Sequence, residues 1–197
     1  MLKRWFDIIF SFFGLILTSP LWGIIAIMIK ITSKGPVFYK GTRVGKAGKL
    51  FKILKFRTMI LGAEEIGISA TSADDRRLTK FGKHLKKYKL DELPQLINVL
   101  KGEMSFVGPR PEVKKYVDMM TNEEKNIILS VKPGMTDLAT LWDFHEEDIL
   151  KGSVDPEKTY MEKIRPQKIK LQMDYVRNRS FLGDLEIIFK SILKIFQ

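Results

Sequence analysis

The chain contains no cysteine and only two histidines among its 197 residues. The lack of cysteine excludes a disulfide framework and thiolate metal sites, and it suits a reducing compartment. Two histidines also argue against a histidine-based zinc centre. The sequence shows neither internal repeats nor low-complexity segments. Its length predicts one domain, with room for a membrane appendage.

Charge of one sign is in clear excess. Lysine and arginine total 34 against 23 acidic residues, which gives a formal net charge of +11. A charge this high suits three partners: nucleic acid, an anionic membrane surface or a phosphorylated substrate. Since no recognised nucleic-acid motif is present, we expect no nucleic-acid partner. A basic, membrane-tethered binding module is kept as an alternative to an enzyme.

A long apolar segment occupies residues 5–29, with Lys3 and Arg4 before it and Lys30 after it. No small-x-small cleavage site follows its apolar core, so we expect the segment to be retained rather than removed as a signal peptide. As a straight helix it would extend about 37 Å, more than the ~30 Å hydrocarbon core of a bilayer. Its length therefore permits a membrane span.

A proline interrupts this apolar segment past its middle. Pro20 has no N–H for the carbonyl of Ile16, and Ser19 is biased away from helical geometry. The piece before the break reaches only about 21 Å, too short to cross. Because cations flank both ends, both ends should stay in the cytoplasm. The pattern favours a re-entrant membrane helix over residues 1–32, broken at Ser19-Pro20. A kinked single-pass helix is the alternative, since membrane helices tolerate proline.

The remaining residues, 33–197, predict a cytoplasmic domain of the α+β class, mainly helical. Two β-rich runs, at 37–39 and 50–56, flank a glycine-punctuated stretch and predict a small β-hairpin, with two separate extended segments as the alternative. Residues 60–80 are polar and predict a loop or short helix. Helical patterns then follow in three places: 77–101 with an interruption at Pro94, 112–130, and the basic, amphipathic stretch 157–178.

The C-terminal residues 181–197 carry their apolar side chains on one stripe and charged ones on the other face. At this length and polarity the segment should not span a bilayer. We expect an amphipathic helix lying in the membrane interface. An ordinary surface helix packed on the core is the alternative.

Two adjacent carboxylates, Asp91 and Glu92, lie among apolar residues just before Pro94. Neighbouring positions on a helix point about 100° apart, so the two can serve one site in different roles. One could attack or bind metal while the other handles a proton or steadies the metal. Taken alone, such a pair is typical of a solvated helix start.

Cations at short sequence distances change this interpretation. They comprise Lys55, Arg57, Lys86, Lys87, Lys89 and Arg110. Such side chains are suited to holding phosphate oxygens, and carboxylates within a basic basin indicate Mg²⁺ together with phosphate. Arg110 lies between Pro109 and Pro111, on a rigid, extended backbone that would aim its guanidinium.

Five sequence blocks, in order, resemble the bacterial sugar transferase family, the small monotopic phosphoglycosyl transferases. The blocks are Lys3-Arg4-x-x-Asp7 leading to Ser19-Pro20, Gly35-Pro36-Val37-Phe38-Tyr39-Lys40, Phe51-Lys52-Ile53 with Lys55-Phe56-Arg57-Thr58-Met59, Leu90-Asp91-Glu92-Leu93-Pro94-Gln95, and Met104-Ser105-x-Val107-Gly108-Pro109-Arg110-Pro111. The resemblance runs from about residue 3 to residue 140 and is weaker beyond.

The resemblance implies a reaction and a set of roles. A UDP-sugar and polyprenyl phosphate would give polyprenyl diphosphate sugar and UMP, by a ping-pong route with Mg²⁺, at the cytoplasmic face of the bacterial inner membrane. Asp91 would be the nucleophile and Glu92 its partner in metal or proton handling, and Ser19-Pro20 would mark the turn of the re-entrant helix. The expected substrate-binding residues are Arg43, Lys55, Arg57, Thr58, Lys86, Pro109 and Arg110.

Some positions depart from the commonest family pattern. Lys86 stands where many members have arginine, and Asp137 occupies the usual glycine position of an Arg-Pro-Gly-Ile-Thr-Gly motif. The following residues 138–141 also differ, which leaves the sugar open. A homodimer is left open too. A further alternative is an enzyme that hydrolyses nucleotide sugars, which would release UMP without any lipid acceptor.

Overall fold

The computed structural model describes residues 1–63, 72, 74–142 and 149–195. The described part is mainly helical, with one antiparallel and one parallel pair of strands. In chain order its elements are α1 (Leu2–Thr32), β1 (Phe38–Val44), β2 (Leu50–Phe56), α2 (Lys80–Lys87), α3 (Gln95–Lys101), β3 (Ser105–Val107), α4 (Lys114–Asp118), α5 (Asn122–Ile128), β4 (Gly134–Thr136), α6 (Leu138–Trp142), α7 (Pro156–Thr159), α8 (Arg165–Asn178) and α9 (Phe181–Ile195).

Helix α1 runs through Pro20 without the interruption that the sequence predicted, as one helix of 31 residues. The hydroxyl of Ser19 donates to the carbonyl of Ile16 at 2.8 Å, and so replaces the N–H that proline lacks. Thr18 likewise donates to the carbonyl of Gly14, at 2.7 Å. Because these hydroxyls occupy carbonyls around the proline, the helix can continue. The re-entrant course of this helix stays a prediction.

The N-terminal end of α1 is bound to the rest of the chain by three charged side chains. Lys3 Nζ lies 2.6 Å from the carboxylate of Asp184 in α9. Arg4 donates to carbonyls in the last turn of α3, where cations are favoured by the helix dipole. Asp7 accepts from the hydroxyl of Ser105 in β3 at 3.1 Å. This end of the helix is therefore fixed to the domain.

The C-terminal half of α1 packs on the same domain. Ile25 and Ile29 are buried in a cluster with Phe56 of β2 and Leu85 of α2. Both ends of α1 therefore contact the domain. Residues on the outward face are apolar and exposed: Trp5, Ile9, Phe12, Phe13, Ile16, Leu17, Ile24, Ile27 and Ile31.

By length and composition α1 could cross a membrane, although a signal sequence or a buried core helix can meet the same criteria. Only 11% of its most apolar 18-residue window is buried, so α1 is unlike a core helix. An exposed apolar face of this length on a soluble surface is unfavourable, and it is typical of contact with lipid.

The predicted β-hairpin is confirmed. Strands β1 and β2 pair antiparallel, with Phe38 opposite Phe56 at one end and Val44 opposite Leu50 at the other. A short 3₁₀ turn over Lys46–Gly48 joins them. The first strand is longer than the sequence indicated, because pairing with β2 extends it through the glycine-punctuated stretch.

The single helix predicted over 112–130 is wrong, since two short helices, α4 and α5, occupy this stretch. Thr121 forms a capping box with Glu124: its hydroxyl accepts from the Glu124 N–H, and the Glu124 carboxylate accepts from the Thr121 N–H. This reciprocal cap starts a new helix at that point. The stretch 157–178 is helical as predicted, with one π-type turn at Tyr160–Ile164.

The C-terminal helix α9 has two unlike faces. Asp184 and Ile187 are buried against the domain. Leu182, Phe189 and Ile192 are exposed on the other side. Helix formation is thus confirmed, and packing on the domain coexists with an outward apolar face. The interfacial position of this helix stays a prediction.

A parallel pair of short strands escaped the sequence-based prediction. Ser105 of β3 lies opposite Gly134 of β4, and Val107 lies opposite Thr136. A Cβ on Gly134 would lie 2.1 Å from the backbone nitrogen of Gly108, so glycine is required for the close approach. This pairing brings the Pro109-Arg110-Pro111 loop next to the segment that follows β4.

Another close approach fixes α2 against the end of β2. A Cβ on Gly82 would lie 2.0 Å from the carbonyl oxygen of Thr58. We expect Gly82→Ala to destabilise the protein by about 3 kcal/mol or more, because backbone must move to relieve the overlap. Chemical denaturation in detergent measures this. Gly23→Ala is the matched control: no described heavy atom lies within 4 Å of its Cβ. Equal stabilities of the two variants would contradict the packing.

Candidate active site

Asp91 and Glu92 lie in a 3₁₀ turn, Leu90–Glu92, immediately before α3. Lys89 precedes this turn in the left-handed region, with φ of 53°. The apolar neighbours Leu90 and Leu93 pack against the cluster that also holds α1. Anchored in this way, the turn directs both acids inward: Asp91 is only 5% exposed and Glu92 only 9%.

Two fixed cations hold Glu92. Lys55 Nζ lies 2.8 Å from Glu92 Oε1, and the guanidinium of Arg110 donates to both carboxylate oxygens. Burial acts to raise the pKa of Glu92, but the charges of Arg110 and Lys55 outweigh it and hold the pKa well below its usual range. Glu92 is therefore a carboxylate anion that locks the two cations in place.

Asp91 is in a different electrostatic state. Lys55 Nζ is 3.9 Å from Asp91 Oδ2, and the buried Oδ1 has no hydrogen-bond partner among the described residues. Burial raises the pKa of Asp91, and the negative charge of Glu92 adds to that rise against the opposing charge of Lys55. The Oδ1 atom of Asp91 is thus open to a further ligand, and it lies near Lys55, which already contacts Glu92.

The strand that carries Lys55 is held in register by a buried amide. Asn98 of α3 accepts from the backbone N–H of Leu54 at 3.0 Å and donates to the carbonyl of Lys52 at 2.8 Å. These bonds hold the part of β2 just before Lys55, so they help to fix the position of Lys55 relative to the acidic turn that precedes α3. In addition, the buried Nε2 of Gln95, one helical turn after Asp91, has no partner within the described ranges.

The loop that carries Arg110 is attached to the β4 end of the parallel strand pair. Arg110 donates its backbone N–H to Asp137 Oδ2 at 3.1 Å, and its Nη1 lies 3.4 Å from the carbonyl of Met135. The carbonyl of Pro109 accepts from Gly134 N at 3.0 Å. Side chain and backbone together direct the guanidinium toward Glu92.

The structure brings together some of the predicted substrate-binding residues. Lys55 and Arg110 contact the acidic pair directly. Lys86 lies close enough to Asp91 for its charge to lower the pKa of that carboxyl, though less than Lys55 does. Pro109 is buried and supports Arg110. The basic basin predicted around Asp91 and Glu92 is therefore assembled from β2, α2 and the Pro-Arg-Pro loop.

Three of the predicted substrate-binding residues are directed elsewhere. Arg57 donates to Ser33 and to the carbonyl of Lys34, so it holds the C-terminal end of α1. Arg43 donates to the carbonyl of its neighbour Thr42. The carbonyl of Thr58 accepts from the N–H of Thr79 at 2.9 Å and anchors the start of α2. None of these contacts reaches Asp91 or Glu92.

The acidic pair suits a hard divalent cation of the Mg²⁺ type. In the part of the chain that the structure describes, no group of three or more His, Cys, Asp or Glu residues could hold a metal. Mg²⁺ needs no such group, because it commonly takes one or two carboxylates and completes its shell with water and substrate phosphate. Within the described ranges, Asp91 Oδ1 is a buried oxygen without a hydrogen-bond partner, and Glu92 Oε2 accepts one long bond, at 3.4 Å.

Two residues that support the site were not assigned from the sequence. Asn98 lies in an otherwise apolar helical run, and an amide in such a run is a usable signal, since buried amides need partners. Asp137 was recognised as a departure from the family pattern, yet without a role. Its contact with Arg110 joins positions 27 residues apart, which local patterning does not reveal.

Known proteins are similar to the chain from end to end. A family model described as bacterial sugar transferase matches residues 1–197. A UDP-N-acetylgalactosamine-undecaprenyl-phosphate N-acetylgalactosaminephosphotransferase of Aeromonas hydrophila is 36% identical, over 98% of this chain and 43% of the relative. A UDP-glucose:undecaprenyl-phosphate glucose-1-phosphate transferase of Klebsiella pneumoniae is 39% identical, over 98% and 40%.

A shorter relative matches along almost its whole length. The exopolysaccharide production protein PSS of Rhizobium leguminosarum bv. phaseoli is 36% identical, over 98% of this chain and 94% of the relative. The chain thus spans about two fifths of the first two relatives and nearly all of the third. With a family model matched from end to end and this acidic pair between fixed cations, the chain belongs to the bacterial sugar transferase family.

Proposed function

We propose that this chain transfers a sugar 1-phosphate from a UDP-sugar to polyprenyl phosphate, of the undecaprenyl type, and so begins the assembly of a bacterial glycan. The names of the two longer relatives support the substrate classes. One structural observation carries the chemistry: a buried Asp91 with an open oxygen lies beside a carboxylate that holds two cations.

In the first step, an oxygen of the Asp91 carboxylate attacks the β-phosphorus of the UDP-sugar. A carboxylate–phosphorus bond forms, the bond to the bridging oxygen breaks, and UMP leaves with the electron pair. Arg110 and Lys55 are placed to neutralise charge on the phosphoryl oxygens, because Glu92 already holds both cations at the site. The product on the enzyme is a phosphosugar ester of Asp91.

In the second step, an oxygen of polyprenyl phosphate attacks the same phosphorus. The carboxylate of Asp91 leaves as the anion, and polyprenyl diphosphate sugar is released. Splitting the transfer in two lets a soluble donor and a lipid acceptor use one site in turn. In both steps the phosphorus stays close to the fixed cations.

Asp91 and Glu92 would hold Mg²⁺, which when bound neutralises phosphate charge and orients the diphosphate of the donor. The open Oδ1 of Asp91 supports this assignment. The network of Lys55 and Arg110 on Glu92 keeps the second carboxylate ionised, which a hard cation requires of its ligand.

The membrane would approach from the side of α1. Both ends of this helix are fixed to the domain while its outward face is apolar. A bend at Pro20, where the helix lacks one backbone N–H, would let it enter the bilayer and return with both ends on the cytoplasmic face. The outward apolar face of α9 would lie in the interface. A lipid phosphate could then reach the site without leaving the headgroup layer.

Purified protein in detergent or nanodiscs, labelled UDP-sugars and undecaprenyl phosphate provide the test of this function. We expect UMP release that depends on both Mg²⁺ and the lipid acceptor, with label appearing in the lipid. Sustained UMP release without lipid would instead support a nucleotide-sugar hydrolase. Salt-sensitive DNA binding without turnover with any UDP-sugar would support a binding module.

The ionisation of Asp91 should limit the reaction on the acidic side. Because burial and the charge of Glu92 raise the pKa of Asp91, formation of the phosphosugar adduct should fall at a higher pH than expected for an ordinary aspartate. Glu92→Gln removes that negative charge and frees Lys55 for Asp91, so the acidic limb should move to lower pH while the maximal rate drops.

Rapid-quench measurement of adduct formation across pH gives the acidic limb of the profile for wild type and for Glu92→Gln. Glu123→Gln controls for loss of an acid that lies outside the pair, since Glu123 pairs with Arg177 on the surface. An acidic limb that moves upward in Glu92→Gln, or stays in place, would contradict the electrostatic assignment.

A further inference from the structure

We infer that Asp137 is a positioning residue for catalysis: it fixes the backbone of Arg110 and thereby the direction of the guanidinium at the acidic pair. The inference rests on the proposed function, since it concerns the same reaction. It gives a role to the position at which the sequence departs from the commonest pattern of the family.

Asp137 is completely buried, with 0% of its surface exposed. Its two carboxylate oxygens serve different parts of the chain. Oδ2 accepts from the backbone N–H of Arg110 at 3.1 Å. Oδ1 accepts from the backbone N–H of Thr140 at 2.6 Å and from its hydroxyl at 2.8 Å, so it caps the start of α6. One side chain therefore joins the Pro-Arg-Pro loop to a helix start.

The loop has a particular need for this acceptor. Pro109 and Pro111 have no backbone N–H, so Arg110 carries the only backbone donor of the tripeptide. Backbone donors buried without a partner are rare and unfavourable, and here the side chain of Asp137 satisfies this one. Glycine at position 137 would provide no side-chain acceptor.

Backbone contacts on either side make the attachment rigid. Gly108 donates to the carbonyl of Thr136 at 3.1 Å, and Gly134 donates to the carbonyl of Pro109 at 3.0 Å. Asp137, the residue after Thr136, adds a third contact by accepting from the backbone N–H of Arg110. Because the residues before Arg110 are bound to β4 and its own N–H is bound to Asp137, its side chain reaches Glu92 from a defined origin.

In the transition state, a displaced guanidinium would bind the phosphate less well than the wild-type guanidinium does. A misplacement of about 1 Å can lower a rate by about 100-fold. We therefore expect Asp137→Asn to lower kcat/KM for the UDP-sugar by about 10- to 100-fold. Asparagine can still cap Thr140 through its oxygen, but its NH₂ group cannot accept from the N–H of Arg110.

Thr140→Val is the matched control. It removes a hydroxyl that contacts Oδ1 and leaves the Oδ2 contact with Arg110 intact. We expect it to lower thermal stability to an extent similar to Asp137→Asn while keeping the wild-type rate. A second variant, Asp137→Gly, removes both contacts and carries the residue more common in the family. It is used should the asparagine variant fail to fold.

A double-mutant cycle with Arg110→Ala separates positioning from general structure. If Asp137 acts through Arg110, Asp137→Asn should cause no further loss of kcat/KM once Arg110 is removed. An equal loss in both backgrounds would overturn the inference, as would a rate for Asp137→Asn equal to that of Thr140→Val.

Failure of the proposed function would look different, because wild-type protein would then show no lipid-dependent turnover. In that event the coupling between Asp137 and Arg110 is obtained from the UDP affinities of wild type, Asp137→Asn, Arg110→Ala and the double variant, measured by calorimetry. Additive effects on UDP affinity would overturn the inference without reference to turnover.

Discussion

Asp91→Asn is expected to eliminate turnover, lowering kcat by about 10⁴- to 10⁶-fold, the range found when an enzyme loses its covalent nucleophile. An amide has no anionic oxygen to attack phosphorus, and neither cation at the site can restore one. The phosphosugar adduct should also disappear. Steady-state UMP release and mass spectrometry of the intact protein after single turnover measure the two effects.

The same substitution should leave the fold intact or stabilise it. Burial raises the pKa of Asp91, so its ionised form is disfavoured in the folded state. A group with a raised pKa binds its proton more tightly when folded. Its contribution to stability therefore decreases as pH rises from the unfolded pKa through the folded pKa. At neutral pH the charge is destabilising, and asparagine removes it.

Asp118→Asn is the matched control for Asp91→Asn. Asp118 pairs with Lys114 on an exposed helix face, at 2.7 Å. Its removal should alter neither rate nor adduct, because exposed ion pairs of this type contribute little. A phosphosugar adduct that still forms on Asp91→Asn would assign the nucleophile to another side chain. Loss of activity accompanied by unfolding would contradict the expected stability.

Local patterning and the family resemblance together predicted the acidic pair and two of its cations. Asp91 and Glu92 stand out because acids adjacent to each other in an apolar run need partners. Lys55 and Arg110 were assigned through charge and through the resemblance to a family. The structure places both against Glu92. Their proximity to the acidic pair is thus as expected, while their roles in binding substrate stay predictions.

The direction in which a side chain points was harder to predict than the chemistry it can perform. Arg57 belongs to the same strand block as Lys55, yet its side chain turns to the C-terminal end of α1. Side chains two apart on a strand share a face, but β2 ends at Phe56, so this alternation no longer holds for Arg57. Where a strand ends depends on its partner, and pairing partners are not visible in local sequence.

Two further differences between prediction and structure arise from contacts that local sequence does not show. Pro20 predicted a break in α1, whereas the hydroxyl of Ser19 takes the carbonyl that proline leaves unpaired. The parallel pair of β3 and β4 links residues almost thirty positions apart, and each strand is only three residues long. Such short strands carry too little periodicity to be recognised. Both features therefore depend on contacts rather than on propensity.

Arg110→Ala should produce the second-largest loss of activity, lowering kcat/KM by about 10²- to 10³-fold, as expected when a preorganised donor to a developing anion is removed. Two effects combine in this variant. The phosphate loses a guanidinium fork, and Glu92 loses the largest of the charges that lower its pKa, so that pKa should rise. Lys55 then remains as the cation in direct contact with Glu92 among the described residues.

Arg110→Lys keeps the charge but not the fork, because an ammonium is a point charge without bidentate geometry. It should recover only part of the loss. Arg177→Ala is the matched control, since Arg177 pairs with Glu123 on the surface at 2.9 Å and should leave the rate unchanged. Kinetics over a range of UDP-sugar concentrations would separate binding from chemistry. Full recovery by lysine would show that charge alone suffices and that the fixed direction of Arg110 has no catalytic value.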